Sequence, residues 1–170
     1  MLNEDLIEMA FIDQLVAQGF EFHQGPDIAP DSDAPQRKNF DSVVLENELL
    51  KAIERLNPDV PSNAIHEAHQ KVLNLGTEDI MENNERFHTY LTSGVPVEFT
   101  KDSAAKGVNV DLLDIENPEN NTYWVVNQLV IKENNVNRRL DVVIYVNGLP
   151  LVVVELKNAT SEKATIRNAY

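Results

Sequence analysis

"DVVIYVNGLPLVVVELKN", residues 141–158, is the stretch whose reading decides the fold. Two apolar, β-branched runs flank Asn147-Gly148, a dipeptide that strongly favours a hairpin turn. The first run opens on an acid, Asp141. The second, Leu151 to Val154, runs straight into Glu155 and Lys157. Charges at the end of a buried strand must be paired or must bind something. Side chains alternate along a strand, so Asp141, Val143 and Tyr145 share one face, and Leu151, Val153, Glu155 and Lys157 share a face on the next strand. A strictly two-residue loop pairs 146 with 149 and hence 141 with 154, sending Asp141 and Glu155 to opposite faces. An odd-length loop, or one bulge, pairs 141 with 155 and brings the two carboxylates together. A joint role for the two acids therefore predicts an irregular hairpin. An ordinary salt bridge at a sheet edge makes no such demand.

Two adjacent carboxylates beside a lysine suit a hard divalent ion such as Mg²⁺, which takes oxygen ligands, commonly one or two carboxylates plus waters and phosphate oxygens. Such an ion acidifies a bound water and neutralises charge on a phosphoryl group. A neighbouring lysine can orient or deprotonate that water. The pattern Asp, then Glu-x-Lys, is thus a workable phosphodiester hydrolase, although Glu-x-Lys by itself is common.

Upstream of this hairpin, "VPVEF", "VNVDLLDI" and "TYWVVNQLVIK" are rich in β-branched and aromatic residues and separated by Asn, Gly and Pro, which predicts further strands from residue 95 onward. The N-terminal half reads as helical. Asn3 before Glu4 and Asp5 is a helix start, Leu6, Met9, Ala10, Leu15 and Val16 follow helical spacing, and Gly19 ends it. A short "FEFH" strand follows, then "GPDIAPDSDAPQ", a loop by composition and the most flexible segment expected. Three more helices are predicted: Ser42–Leu56 stopped by Asn57-Pro58, Ser62–Leu75 capped by Ser62 and ended by Gly76, and one capped by Thr77 and ended by Gly94. Helices followed by a sheet imply a mixed α/β (α+β) fold, with 1–170 as a single domain.

Composition narrows the class. A chain of 170 residues, 42% hydrophobic, is long enough for a compact core. It has no cysteine, hence no disulfide or thiolate metal site, no bilayer-length apolar stretch and no signal-peptide pattern at its start. A cytoplasmic protein with no membrane partner is expected. The net charge of -14 argues against nucleic-acid binding in general, but it is unevenly spread. Residues 1–60 hold 13 acids and 4 bases, residues 61–120 hold 11 and 4, and residues 121–170 hold 4 and 6. The part carrying the hairpin is the part that does not repel a polyanion, although a buried sheet has few acids in any case.

The words around the hairpin carry a family likeness. "RRLDVVIYVNGLPLVVVELKN", preceded by "NTYWVVNQLVI", closely resembles the endonuclease domain of the motor (restriction) subunit of type I restriction enzymes, within the PD-(D/E)xK nuclease superfamily. "EDLIEMAFIDQLVAQGFEF" is similar to the family's opening helix, and "AIERLNP" and "NNERFHTYLTSGV" fit its helical middle. The resemblance implies a restriction-endonuclease-like mixed sheet flanked by helices and a Mg²⁺-dependent nuclease cutting double-stranded DNA. It implies Asp141 and Glu155 as metal-binding catalytic carboxylates, Lys157 as the catalytic lysine, the main-chain carbonyl of Leu156 as a further ligand, and Glu8 as an extra acid on the first helix. A solvent-facing Glu8 is the competing expectation. The resemblance also implies partners, namely methyltransferase and specificity subunits, and ATP bound elsewhere in a longer subunit. No GxxxxGK[ST] loop occurs here, and the family's Gln-x-x-x-Tyr helix is expected just past Tyr170. An N-terminal fragment, incomplete as a nuclease by itself, is therefore expected.

Other residues attract weaker readings. Arg138 and Arg139 are candidate DNA-phosphate contacts, or exposed charges serving solubility. His66 and His69 are spaced i,i+3 and read as surface residues of a helix rather than metal ligands. Tyr123 and Trp124 could stack on bases but fit strand packing better. Asn127-Gln128 reads only as a sheet-edge pair. The rival to a nuclease is a non-catalytic, nuclease-like interaction module that docks partner subunits.

Overall fold

The computed structural model describes residues 4–101, 104–134 and 136–156. Elements run α1 (Glu4–Ala17), β1 (Glu21–Gln24), α2 (Glu46–Leu56), α3 (Ser62–Leu73), α4 (Ile80–Ser93), β2 (Val95–Lys101), β3 (Ala104–Val110), β4 (Tyr123–Glu133), β5 (Val136–Val146) and β6 (Leu149–Val154). This is the mixed α and β composition expected. The strands form two sheets rather than one. No described helix is long and apolar enough to cross a membrane.

The chain divides into two compact units, Met1–Val43 with Tyr123–Tyr170, and Val44–Thr122. The second unit packs α2 and α3 together and sets α3 and α4 against β2 of the β2–β3 hairpin. Leu49, Ala52 and Ile53 from α2, Ala64, Ile65, Ala68 and Val72 from α3, and Val95, Val97 and Val110 from the hairpin are buried. Asn57, expected only to stop α2, does more. Its Nδ2 donates to the carbonyls of Ile53 at 2.8 Å and Asp111 at 2.9 Å, while its Oδ1 accepts from the Asp111 N–H at 2.9 Å. One buried amide thus satisfies the helix end and the exit of β3 together. The third cap also moves by two residues. Asp79, not Thr77, accepts from the N–H groups of Met81 and Glu82, and Thr77 Oγ1 accepts from Asp79 N–H instead.

The first unit is a four-stranded sheet, ordered β1-β4-β5-β6, with β1 parallel to β4 and the other pairs antiparallel. Helix α1 covers it through Ile12, which packs on Val125 and Val142, with Phe11, Leu15, Phe20, Phe22 and Val154 around them. Each fully buried aliphatic side chain here contributes about 1.5–3 kcal/mol. The apolar face read from the sequence is partly wrong. Leu6, Met9 and Val16 are exposed, and Ile12 is the anchor. The helix is apolar around most of its circumference, so periodicity does not single out the side that packs.

The residues that follow the 25–36 loop, 37–43, are tethered to the sheet. Arg37 is buried and donates to the carbonyls of Val130 and Ser42, Lys132 N–H donates to Phe40 O, and the Tyr145 hydroxyl donates to Val43 O at 3.1 Å. Burial pushes the Tyr145 phenol up to about 12, opposed by the nearby Arg37 guanidinium. The neutral phenol is therefore favoured in the folded state. Its contribution to stability is complete below pH 10, its ordinary value, and is lost as pH rises from there through about 12. Ultraviolet titration should show a late tyrosine ionisation near pH 12, and Tyr145→Phe should remove that late step and flatten the alkaline fall in stability.

Candidate functional site

The hairpin between β5 and β6 settles the register question posed by the sequence. Asn147 (φ 51°) and Gly148 (φ 80°) form a two-residue turn in which both residues are left-handed, and Val146 pairs with Leu149. Tyr145 then pairs with Pro150, but Ile144 pairs with Val152. Leu151 is the extra residue of a bulge. Beyond it the pairs are Val143 with Val153 and Val142 with Val154. One more step in this register sets Asp141 across from Glu155, which a bulge-free two-residue hairpin would not do. The approach is close, since the Leu156 N–H donates to Asp141 Oδ2 at 2.7 Å.

Asp141 is half-buried and Glu155 exposed. Oxygen donors from two carboxylates, one midway along β5 and one just past the end of β6, match the ligand habit of a hard divalent ion. The carbonyl of Leu156 leaves from the same backbone that Asp141 already holds. Lys157 lies outside the described residues. Among the described residues, no three histidine or acidic side chains converge closely enough to hold an ion. Two carboxylates, with waters making up the rest, are therefore the donor set to consider.

Glu8, expected either as an extra acid or as a solvent-facing one, is buried on α1 at 8% exposure. Its Oε1 accepts from Asn127 Nδ2 at 2.8 Å and its Oε2 from Gln128 Nε2 at 2.6 Å. The Asn127-Gln128 pair, unreadable in the sequence, thus holds this carboxylate. Gln128 also sits where the β4–β5 ladder breaks. Asn127 pairs with Val142 and Leu129 with Leu140, and the step between them, Gln128 facing Asp141, is interrupted by a left-handed Gln128 (φ 51°).

Arg138 and Arg139 are exposed and lie within β5, paired with Ile131 and Val130. By alternation Arg139, two residues before Asp141, shares its face of the strand. Trp124 stacks on His23, with ring centroids 3.8 Å apart, and Tyr123 lies against Phe20 at 5.2 Å, so both rings are engaged within the fold. His66 is exposed, but His69 is buried, its Nε2 lying 3.0 Å from the Glu46 carbonyl oxygen. The expected surface role of His69 is corrected: α3 packs on both α2 and β2, which encloses the side bearing His69.

Comparison with known proteins bears on what this arrangement belongs to. The sequence model described as "Type I restriction enzyme R protein N terminus" matches residues 1–170. The chain belongs to this family. It is 34% identical, over its whole length, to the type I restriction enzyme HindI endonuclease subunit of Haemophilus influenzae, of which it covers 16%. It is 30% identical, over 99% of its length, to the putative type I restriction enzyme MjaIXP endonuclease subunit of Methanocaldococcus jannaschii, again covering 16%. As a type I R-protein N-terminal region, the chain spans about one-sixth of the relatives it matches.

Proposed function

We propose that this chain is the Mg²⁺-dependent nuclease part of a type I restriction subunit and that it cleaves double-stranded DNA. The observation that carries the reading is the Leu151 bulge, beyond which the register sets Asp141, midway along β5, across from Glu155, just past β6. Asp141 and Glu155 would hold the ion, with the Leu156 carbonyl as a further oxygen donor. When bound, the ion would supply an acidified water and neutralise charge on the phosphoryl group. Asp141 is oriented by the Leu156 N–H, which donates to its Oδ2. Lys157 would orient the attacking water or take its proton as the water oxygen bonds to phosphorus and the bond to the leaving oxygen breaks. Arg138 and Arg139, exposed on the same strand as Asp141, are suited to backbone phosphates. The acid-rich remainder implies that most of the grip on DNA comes from elsewhere in the longer subunit and from methyltransferase and specificity partners, with ATP bound outside this chain.

The rival, a nuclease-like docking module without catalysis, retains the fold and needs none of the three charged residues. Lys157→Ala in the full subunit separates the two. Restriction of unmodified DNA should fall by about 10²–10⁴ with ATP hydrolysis kept, the range expected for losing one proton-transfer group. Cleavage at the original rate would remove Lys157 from the chemistry.

A further inference from the structure

Strands β4 and β5 run on past their neighbours in the sheet. β1 pairs with β4 only as far as Asn127, and β6 pairs with β5 only between Val142 and Val146. The five pairs from Leu129–Leu140 to Glu133–Val136 therefore form a two-stranded ribbon, about 15 Å long at the usual rise per residue. One edge of its base is met by the chain around residues 37–40. There Arg37 Nη2 donates to Val130 O at 3.0 Å, and the Lys132 N–H donates to Phe40 O at 3.2 Å. Every described residue from 132 to 139 is exposed. A bare ribbon invites unwanted strand pairing, and charges along it are one remedy. Here one sign prevails. Residues 129–140 hold Lys132, Arg138 and Arg139 against Glu133 alone, in a chain with 28 acids and 14 bases.

The setting of these cations separates them from others in the chain. Lys51, Lys71 and Arg86 each pair with a glutamate one helical turn away. Among the described residues, no carboxylate pairs with Lys132, Arg138 or Arg139. Lys132 Nζ lies 3.6 Å from the centroid of the Phe40 ring instead, an attraction that steadies the ammonium without neutralising it. Arg37, 6.0 Å from the same ring, is buried, donates to the carbonyls of Ser42 and Val130, and has no acceptor at Nε among the described residues. A buried cation with no counter-charge is costly, and it adds to the positive field at this edge. The ladder also distributes the charge. Lys132 faces Asn137 and Val130 faces Arg139, so Lys132 and Arg139 share the face of Asp141, while Arg138 alternates to the other face.

We propose that the β4–β5 ribbon enters the major groove of the duplex, with Lys132 and Arg139 on the phosphates of one wall and Arg138 on those of the other. The major groove, about 12 Å wide and 8.5 Å deep, admits a two-stranded ribbon, whereas the minor groove, about 6 Å wide, does not. Phosphates line both walls, which matches cations on both faces. Arg139 stands about 7 Å along the strand from Asp141, so the wall it holds leads to the carboxylates. The proposal rests on duplex DNA being the substrate, as read above. Its test is fluorescence anisotropy of a short labelled duplex with the full chain, across a salt series. Lys132→Ala, Arg138→Ala and Arg139→Ala should each lower the slope of log affinity against log salt by about 0.9, the loss of one phosphate contact. Lys106→Ala, an equal change of charge on β3, should leave the slope as it is. A duplex with glucosylated 5-hydroxymethylcytosine fills the major groove and keeps every phosphate. Its affinity should fall about tenfold or more, since only outer phosphate contacts are left. Equal affinity for the two duplexes overturns the proposal, and so does a parent that binds neither at low salt. A slope lowered as much by Lys106→Ala as by Lys132→Ala also overturns it, because diffuse charge would then suffice. If these DNA results fail while Asp141→Ala still removes Mn²⁺ binding, this inference alone falls. If they hold while Mn²⁺ binding is independent of Asp141, the two-carboxylate reading falls and the ribbon stands.

Discussion

Asp141→Ala is expected to abolish Mn²⁺ and Mg²⁺ binding, measured by calorimetry against the unaltered chain. The change removes one of the two carboxylates proposed as ligands, and a hard ion held by one remaining carboxylate in competition with water is weakly bound. Stability complicates the alanine variant. The Leu156 N–H now donates to Asp141 Oδ2 at 2.7 Å, and removing that acceptor costs up to about 1–3 kcal/mol if the N–H is left unpaired. Asp141→Asn separates the two effects. Its amide oxygen still accepts from Leu156, so the melting temperature should stay near that of the parent, while the missing charge should still cost the metal. Equal binding by parent and variant would mean that Asp141 is a structural acceptor only, and the proposed nuclease chemistry would lose its first ligand.

That such a test can be framed owes much to the sequence. The Asn-Gly turn, the long β-branched runs and the Pro- and Gly-terminated helices are local signals, and each produced its element. The bulge at Leu151 left no such mark. No glycine announces it, and its presence follows from chemistry instead, because only an irregular hairpin could face Asp141 with Glu155. Where a residue's setting depends on what packs against it, the pattern fell short. His69 looks like a surface residue until α2 and β2 enclose α3, and α1 offers apolar residues on several sides, of which the sheet selects the one with Ile12. The separation of β2–β3 from the main sheet is likewise a matter of long-range pairing, which strand propensity does not encode. The Glu8 cradle was the least legible part. Two amides in "VVNQLV" look like an interruption of an apolar strand, and their shared target lies about 120 residues away, reached only through a backbone kink at Gln128.

Exchanging the residues at 154 and 155 puts the register itself to the test. In the double variant Val154→Glu, Glu155→Val the composition, net charge and hairpin turn are all retained. A bulge-free ladder would pair position 154 with Asp141, and the exchange would then create a two-carboxylate site. In the observed register it does the opposite. Val154 pairs with Val142 and packs against the Ile12, Val125 and Val142 cluster, so a glutamate there points into the apolar layer under α1. An unpaired carboxylate in such a place costs about 3–5 kcal/mol or forces the strand end to open. Across from Asp141, a valine supplies no oxygen. The expected result is a fall in urea midpoint together with loss of Mn²⁺ binding, whereas Glu155→Val alone, exposed at its position, should lose the metal and keep the midpoint. Retained Mn²⁺ affinity in the exchanged protein would mean that position 154 reaches Asp141, and the bulge would then have no part in building the site. The prediction thus ties one unpaired residue, Leu151, to the chemistry at the end of its strand.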